Sequence, residues 1–181
     1  FEEALGEPVS GRDVLVLGAG GASRAICAAL VKHRVSSLTI GNRTLDTAVE
    51  LGRHVGAHAA ITLGPAMIEA CDRMPDLVVN TLPAAAEPFF HELDLHPLPD
   101  HAVVADINYH VGHPTLLTYA EERGLWTLDG RGMFLWQAAL SFEQWLGERP
   151  DLDVGRRILG MEGAPPDPEQ ERQTLVPGEF A

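Results

Sequence analysis

The sequence predicts an α/β fold, a doubly wound parallel sheet of six strands, and three observations carry that prediction. Short apolar runs alternate with helical patterns along most of the chain. Such alternation calls for right-handed crossovers and therefore parallel strands. Six such runs occur, which fits the strand order 3-2-1-4-5-6, with a ligand expected beyond the strand carboxyl ends at the switch point. The first run, Leu15-Val16-Leu17, stops at Gly18-Ala19-Gly20-Gly21, where a helical pattern begins at once.

The elements follow in order. A strand over 14–17 leads into a helix from 21 to about 33, where Ala22, Ala25, Ile26, Ala29 and Leu30 recur at the spacing of one helix face. A second strand over 37–40 precedes a helix over 45–55, and a short third strand over 59–62 precedes a helix over 65–71. The run Leu77-Val78-Val79 marks a fourth strand over 76–80. Pro83, Pro88, Pro97 and Pro99 predict a long loop over 81–100. A fifth strand over 102–107, a helix over 115–123, a sixth strand over 125–128 and a helix from about 133 to 146 complete the pattern. Residues 148–162 form an expected C-terminal helix. From Gly163 the composition turns to Pro, Glu, Gln and Gly, which predicts a disordered tail over 163–181.

At 181 residues the chain suffices for one domain with a substantial core. Its formal net charge of −13 argues against unspecific attraction to nucleic acid or an anionic membrane. A phosphate site would have to be local, built from backbone amides and a few arginines. No apolar run approaches the ~20 residues needed to span a bilayer, and no signal-peptide pattern is present. Cys27 and Cys71, both in helical patterns, read as reduced buried thiols of a cytoplasmic protein. A homodimer is one option for assembly. The chain starts at Phe1 rather than Met, which suggests part of a longer polypeptide.

The turn Gly18-Ala19-Gly20-Gly21-Ala22-Ser23 leaves backbone N–H groups unpaired at the positive end of a helix dipole, which suits a phosphate. A side chain there would block the anion or forbid the backbone angles. The second strand ends in Gly41-Asn42-Arg43-Thr44. An NAD-binding fold places a carboxylate at that strand end to take the ribose hydroxyls. Here the position offers neutral Asn42 and cationic Arg43. A guanidinium pairs with a 2′-phosphate and stacks on adenine, so the expected cofactor is NADP(H).

With the glycine turn and Asn42-Arg43-Thr44 in this order, the chain resembles the C-terminal NADP-binding domain of shikimate dehydrogenases over about residues 1–160. Further matches are Val79-Asn80-Thr81-x-Pro83 and Asp106-x-x-Tyr109. The most specific is Asp129-Gly130-x-x-Met133-x-x-x-Gln137-Ala138-Ala139-x-Ser141-Phe142-Glu143-x-Trp145-x-Gly147. The resemblance implies a Rossmann-like NADP-binding domain over 11–147, preceded over 1–10 by a linker helix from a substrate domain absent from this chain. It implies hydride transfer between NADPH and 3-dehydroshikimate, giving shikimate. Gly18, Ala19, Gly20, Gly21, Ala22 and Ser23 would hold the pyrophosphate. Asn42, Arg43 and Thr44 would hold the 2′-phosphate and adenosine. Asn80, Thr81, Ile107, Gly130 and Met133 fall at cofactor positions, the last three near the nicotinamide. Tyr109 and Gln137 would reach the substrate.

The family's catalytic lysine and aspartate are expected upstream of Phe1. Lys32, the one lysine, ends the first helix, ~15 Å of rise from the phosphate turn. The chain alone is therefore expected to bind NADP(H) without turnover. Thr47 stands where the family often has a second basic residue, with Arg24 or Arg53 as compensating candidates. Ala84-Ala85-Ala86 replaces a small-Gly-Met segment, and Pro114-Thr115 replaces Thr-Pro. These departures leave quinate and amino-analogue dehydrogenases, and a non-catalytic NADP-binding module, as alternatives. His91, His96 and His101 are spaced by five, and His110 and His113 lack a third ligand nearby, so no metal site is expected. Asp106 is expected to cap loop amides.

Overall fold

The strands are β1 (Asp13–Leu17), β2 (Ser37–Asn42), β3 (Ala59–Thr62), β4 (Leu77–Asn80), β5 (Val103–Asp106) and β6 (Trp126–Leu128). The helices are α1 (Gly21–Lys32), α2 (Leu45–Val55), α3 (Glu87–Phe90), α4 (Thr115–Glu122), α5 (Arg131–Leu146) and α6 (Leu152–Ile158). The computed structural model describes residues 7–109 and 114–161. The expected tail over 163–181, most of the expected 1–10 helix, and His110 and His113 lie outside the described residues.

All strand pairs are parallel, and the sheet order is β3-β2-β1-β4-β5-β6, as expected from the sequence. The reason is in the strand composition. Val14, Leu15, Val16 and Leu17 of β1 and Leu77, Val78 and Val79 of β4 are all buried, so these strands are covered on both faces. The edge strand β3 is only half-buried, and Trp126 of β6 is exposed. The described residues fall into two compact units, 8–130 and 131–161 with Glu7. In the second unit Leu135, Ala139 and Leu152 form a small core, and Asp151 caps α6 by accepting from the Asp153 N–H at 2.9 Å. Among the described residues no helix is long and apolar enough to cross a membrane.

Three sequence expectations need correction. The buried stripe of α1 is Ser23, Ile26, Cys27 and Leu30, while Ala22, Ala25 and Ala29 are exposed. Alanine fits either face, and the larger Ile26, Cys27 and Leu30 decide the rotation. The helix expected over 65–71 is a series of turns instead, held by Met67 N–H to the Gly64 carbonyl (3.1 Å), Ala70 N–H to Ala66 (3.3 Å) and Cys71 N–H to Ile68 (3.2 Å). Pro65 and Pro75 bracket a run too short to offset the cost of a helix nucleus; burial of Met67 and Ile68 anchors it. Cys71 is accordingly half-buried and not helical.

The stretch 81–100 is not a plain loop. It holds a 3-10 turn over Ala84–Ala86 followed by α3, with Pro88 tolerated in the first turn. Phe90, Leu93, Leu95 and Leu98 then join Leu15, Val78, Val104 and Leu116 in one core cluster. Met67 and Ile68 of the 65–71 segment belong to the same cluster, so both connections cover that sheet face.

At the amino ends of the strands, Arg12 Nη1 lies 3.7 Å from Asp76 Oδ1, and Arg73 Nε lies 3.3 Å from Asp13 Oδ1. Asp76 Oδ1 is buried and receives no hydrogen bond. Burial holds the Asp76 carboxyl above the ordinary carboxylate range, Arg12 pulls it back, and Asp13 raises it again. A folded-state pKa above the unfolded one means the native chain binds the proton more tightly. That contribution is present at low pH and is lost as pH rises through the folded value. Thermal unfolding of the native chain and Asp76→Asn from about pH 7 to about pH 4 should therefore show the native chain gaining on the variant as pH falls; a constant difference contradicts this. Burial also pushes both thiols, Cys27 and Cys71, up to about 11. Since the thiolate is the nucleophile, iodoacetamide at neutral pH should modify both slowly in the native chain and rapidly in denaturant, with Cys71 ahead of the fully buried Cys27.

Candidate functional site

The strand order reverses between β1 and β4, which run in register so that Leu17 lies opposite Asn80. The residues that follow them, Gly18 and Thr81, therefore meet at the carboxyl edge of the sheet. Thr81 donates twice to the Leu17 carbonyl, from its N–H at 2.9 Å and from Oγ1 at 2.7 Å. Ser23 Oγ lies 2.5 Å from Thr81 Oγ1. The one Thr81 hydroxyl proton is committed to Leu17, so Ser23 is the donor. Gly18 has φ +107, and a Cβ there would sit 2.6 Å from Thr81 Oγ1. Both the backbone angle and the close approach require glycine.

Gly20 and Gly21 differ. A Cβ at either would meet nothing within 4 Å, so packing does not explain these glycines. Gly20 is the N-cap of α1 and has no side-chain cap, and the first turn holds no acidic residue. The first intrahelical bond runs from Arg24 N–H to the Gly20 carbonyl at 3.1 Å. The N–H groups before it lack intrahelical partners and open on bare surface at the positive end of the helix dipole. Gly20, Gly21 and Ala22 are exposed, Ala19 is half-buried, and Ser23 is fully buried against the sheet edge.

At the end of β2, Asn42 Nδ2 donates to the Thr44 carbonyl at 3.0 Å and shapes the turn that carries Arg43. Arg43 and Thr44 are exposed, and no hydrogen bond or ion pair among the described residues engages Arg43. Arg24 is exposed in the first turn of α1. Arg53 lies in the last turn of α2, roughly 12 Å of helix rise from the Arg43 turn, so it is poorly placed to reinforce it.

Beyond β4 and β5 the polar side chains are turned inward. Asn80 is fully buried; its Nδ2 donates to Asp106 Oδ2 at 2.8 Å, and its Oδ1 accepts from Leu82 N–H at 3.0 Å. Asp106 Oδ1 accepts from the Asn108 N–H at 2.8 Å, the loop cap expected for Asp106, and from Asn108 Nδ2 at 2.7 Å. Asn108 Nδ2 also reaches the Leu82 carbonyl at 3.0 Å. Sequence reasoning did not single out Asn108; the Asp-x-Asn spacing of a side-chain-capped turn was the available signal. The Gly130 backbone presses on Ile107, and a Cβ on Gly130 would overlap the Ile107 carbonyl group. Ile107 is half-exposed and Tyr109 is 46% exposed. The segment Ala84–Ala86 shows no backbone strain, because Arg34 is the one non-glycine residue with positive φ among those described. Met133, half-buried, and Gln137, exposed, both lie on α5 in the other unit. No group of three metal-ligating side chains occurs among the described residues.

The family model described as Shikimate / quinate 5-dehydrogenase matches residues 2–108, and that described as Shikimate 5'-dehydrogenase C-terminal domain matches 130–159. A protein of Rhizobium rhizogenes named Shikimate dehydrogenase (NADP(+)) is 42% identical over 150 residues, 80% of this chain and 51% of its own length. The shikimate 5-dehydrogenase of Listeria monocytogenes, solved with shikimate and NAD, superposes at a TM-score of 0.73 with 27% identity over 87% of this chain and 59% of its own. The Thermus thermophilus enzyme, solved with NADP(H) and shikimate, gives 0.71 and 29% over 88% of this chain and 58% of its own. The chain thus spans about half the length of the curated relatives it matches. The switch-point turn, the register that builds it and these matches agree: the chain belongs to the shikimate dehydrogenase family.

Proposed function

We propose that this chain is the coenzyme-binding part of an NADP-dependent shikimate dehydrogenase, which reduces 3-dehydroshikimate to shikimate. One observation carries the coenzyme choice. Arg43 is an exposed guanidinium without a partner among the described residues, at the strand end where a carboxylate would select NAD. The named activity of the Rhizobium relative supports the same reading.

The residues of this chain bind and orient. The backbone N–H groups of Gly20, Gly21 and Ala22 suit the diphosphate, since they lie on exposed residues with no side-chain cap at the positive end of the helix dipole, while the Gly18 N–H is engaged by the Gly41 carbonyl and holds the turn to the sheet. Arg43 takes the 2′-phosphate and stacks on adenine, with Asn42 holding the turn and Thr44 flanking it. Asn80 and Thr81 act from behind, their side chains fixing the wall of the crevice. Ile107 and Gly130 border the nicotinamide end, and Met133 serves the same end. Tyr109 and Gln137 contact the substrate. The bound NADPH supplies the hydride. The proton-transferring lysine and aspartate belong to the substrate-binding part of the enzyme, so this chain alone binds coenzyme without turnover. Quinate as the substrate is the second reading, which the family description keeps open.

The test is titration of the 181-residue chain with NADPH and NADH by calorimetry. Arg43→Ala should cost about 1.5–3 kcal/mol in NADPH affinity and little for NADH. Equal losses for both coenzymes reject the 2′-phosphate role. Gly21→Ala should leave stability unchanged or raise it by up to ~1 kcal/mol, because alanine is the better helix former. The same substitution should weaken both coenzymes, because its methyl group enters the space of the diphosphate. Undiminished affinity would remove the glycine turn from the site.

A further inference from the structure

Two hydrogen-bonded sets, joined through the Asn80-Thr81-Leu82 backbone, form a rim along the carboxyl edge from the phosphate turn to the loop that bears Tyr109. Ser23 holds Thr81, and Thr81 holds Leu17. The neighbouring Asn80 holds the Leu82 N–H and Asp106, and Asp106 holds Asn108, which returns to the Leu82 carbonyl. Apart from the bond that ties Ser23 of α1 to Thr81, every bond in the rim crosses between the ends of β1, β4 and β5 or closes a turn at one of them. Asp106 is its central acceptor. One buried carboxylate satisfies three donors, Asn80 Nδ2, Asn108 N–H and Asn108 Nδ2, so an amide of the same size and shape does not match the polarity.

We infer that Asp106 is a positioning residue of the nicotinamide half of the crevice. This rests on the coenzyme reading above. A dinucleotide lies across the switch point, one mononucleotide on each half of the sheet. Arg43 on the β2 side assigns the adenosine half to β1–β3, which leaves β4–β6 for the nicotinamide. Asp106 touches neither half of the coenzyme; it fixes Asn80, and through it the Thr81-Leu82 backbone, together with the Asn108-Tyr109 turn. The coenzyme-facing and substrate-facing loops are thereby one rigid body rather than two.

The polarity of the ring supplies the test. In Asp106→Asn an amide NH2 must face a donor: either Asn80 Nδ2, or the two donors of Asn108. In Asn80→Asp two carboxylates face each other. In the exchange Asn80→Asp/Asp106→Asn every donor again has an acceptor, because the carboxylate now on β4 accepts from both the Leu82 N–H and the amide now on β5. Affinity of the 181-residue chain for NADPH and for 2′,5′-ADP, which contains the adenosine half alone, is measured well below each variant's melting temperature. Each single substitution should weaken NADPH by about tenfold and leave 2′,5′-ADP unchanged, and the exchange should restore NADPH. If either single variant fails to fold, Asn108→Ala replaces it and should give the same NADPH-selective loss. Unchanged NADPH affinity in the folded variants, equal losses for both ligands, or no recovery in the exchange overturns the positioning role. If the native chain binds neither ligand, the coenzyme reading fails and takes the role with it; if it binds both, a failure concerns Asp106 alone.

Discussion

The architecture of the edge depends on one junction, where β1 and β4 end side by side and the Leu17 carbonyl accepts two bonds from Thr81. That junction imposes glycine at 18, because Thr81 Oγ1 occupies the place of a Cβ. It imposes a small donor at 23, because the remaining lone pairs of Thr81 Oγ1 face the buried side of α1. The start of α1 is thus fixed against the sheet by its own first turn. Its N–H groups point outward without any side chain of the turn to cap them. A helix capped by its own Ser or Asp would present the same dipole with its donors already engaged.

The order of the sheet was legible because the information is local. Runs such as Leu15-Val16-Leu17 and Leu77-Val78-Val79 are apolar on both faces, and a strand covered from both sides uses such a sequence. The 65–71 and 81–100 segments were misjudged for the opposite reason. Residues 65–71 have helix-compatible spacing, but they are too few between Pro65 and Pro75 to form a helix. Prolines 83, 88, 97 and 99 read as loop, yet Phe90, Leu93, Leu95 and Leu98 are core residues whose partners, such as Leu116, are distant in sequence. Nothing within the segment announces that its apolar side chains are needed to cover a sheet face. The rotation of α1 was ambiguous because alanines carry too little area to choose a side.

The site divides along the same line. The glycine turn and Arg43 could be read from short stretches, since backbone freedom and formal charge belong to single residues. The Asn80–Asp106 bond could not. It joins residues 26 apart that become opposite only through the pairing of β4 with β5. The resemblance marked Asn80 and Thr81 as cofactor positions, and the geometry gives both side chains partners within the chain.

This inward use of side chains bears on how an acidic protein holds an anion. With a net charge of −13 the overall field opposes a polyphosphate. At physiological ionic strength charges beyond roughly 8 Å are largely screened, so the nearest groups decide. The one acidic side chain in the rim, Asp106, is buried beneath its three donors. The first turn of α1 holds no acid, while that of α2 holds Asp46, so the dipole of α1 is left without a carboxylate of its own. Outward-facing positive character is therefore concentrated in the α1 amides and the Arg24 and Arg43 guanidinium groups. Burying the polar rim serves two ends at once: it makes the edge rigid, and it takes the rim's one negative charge away from the surface that the phosphates approach.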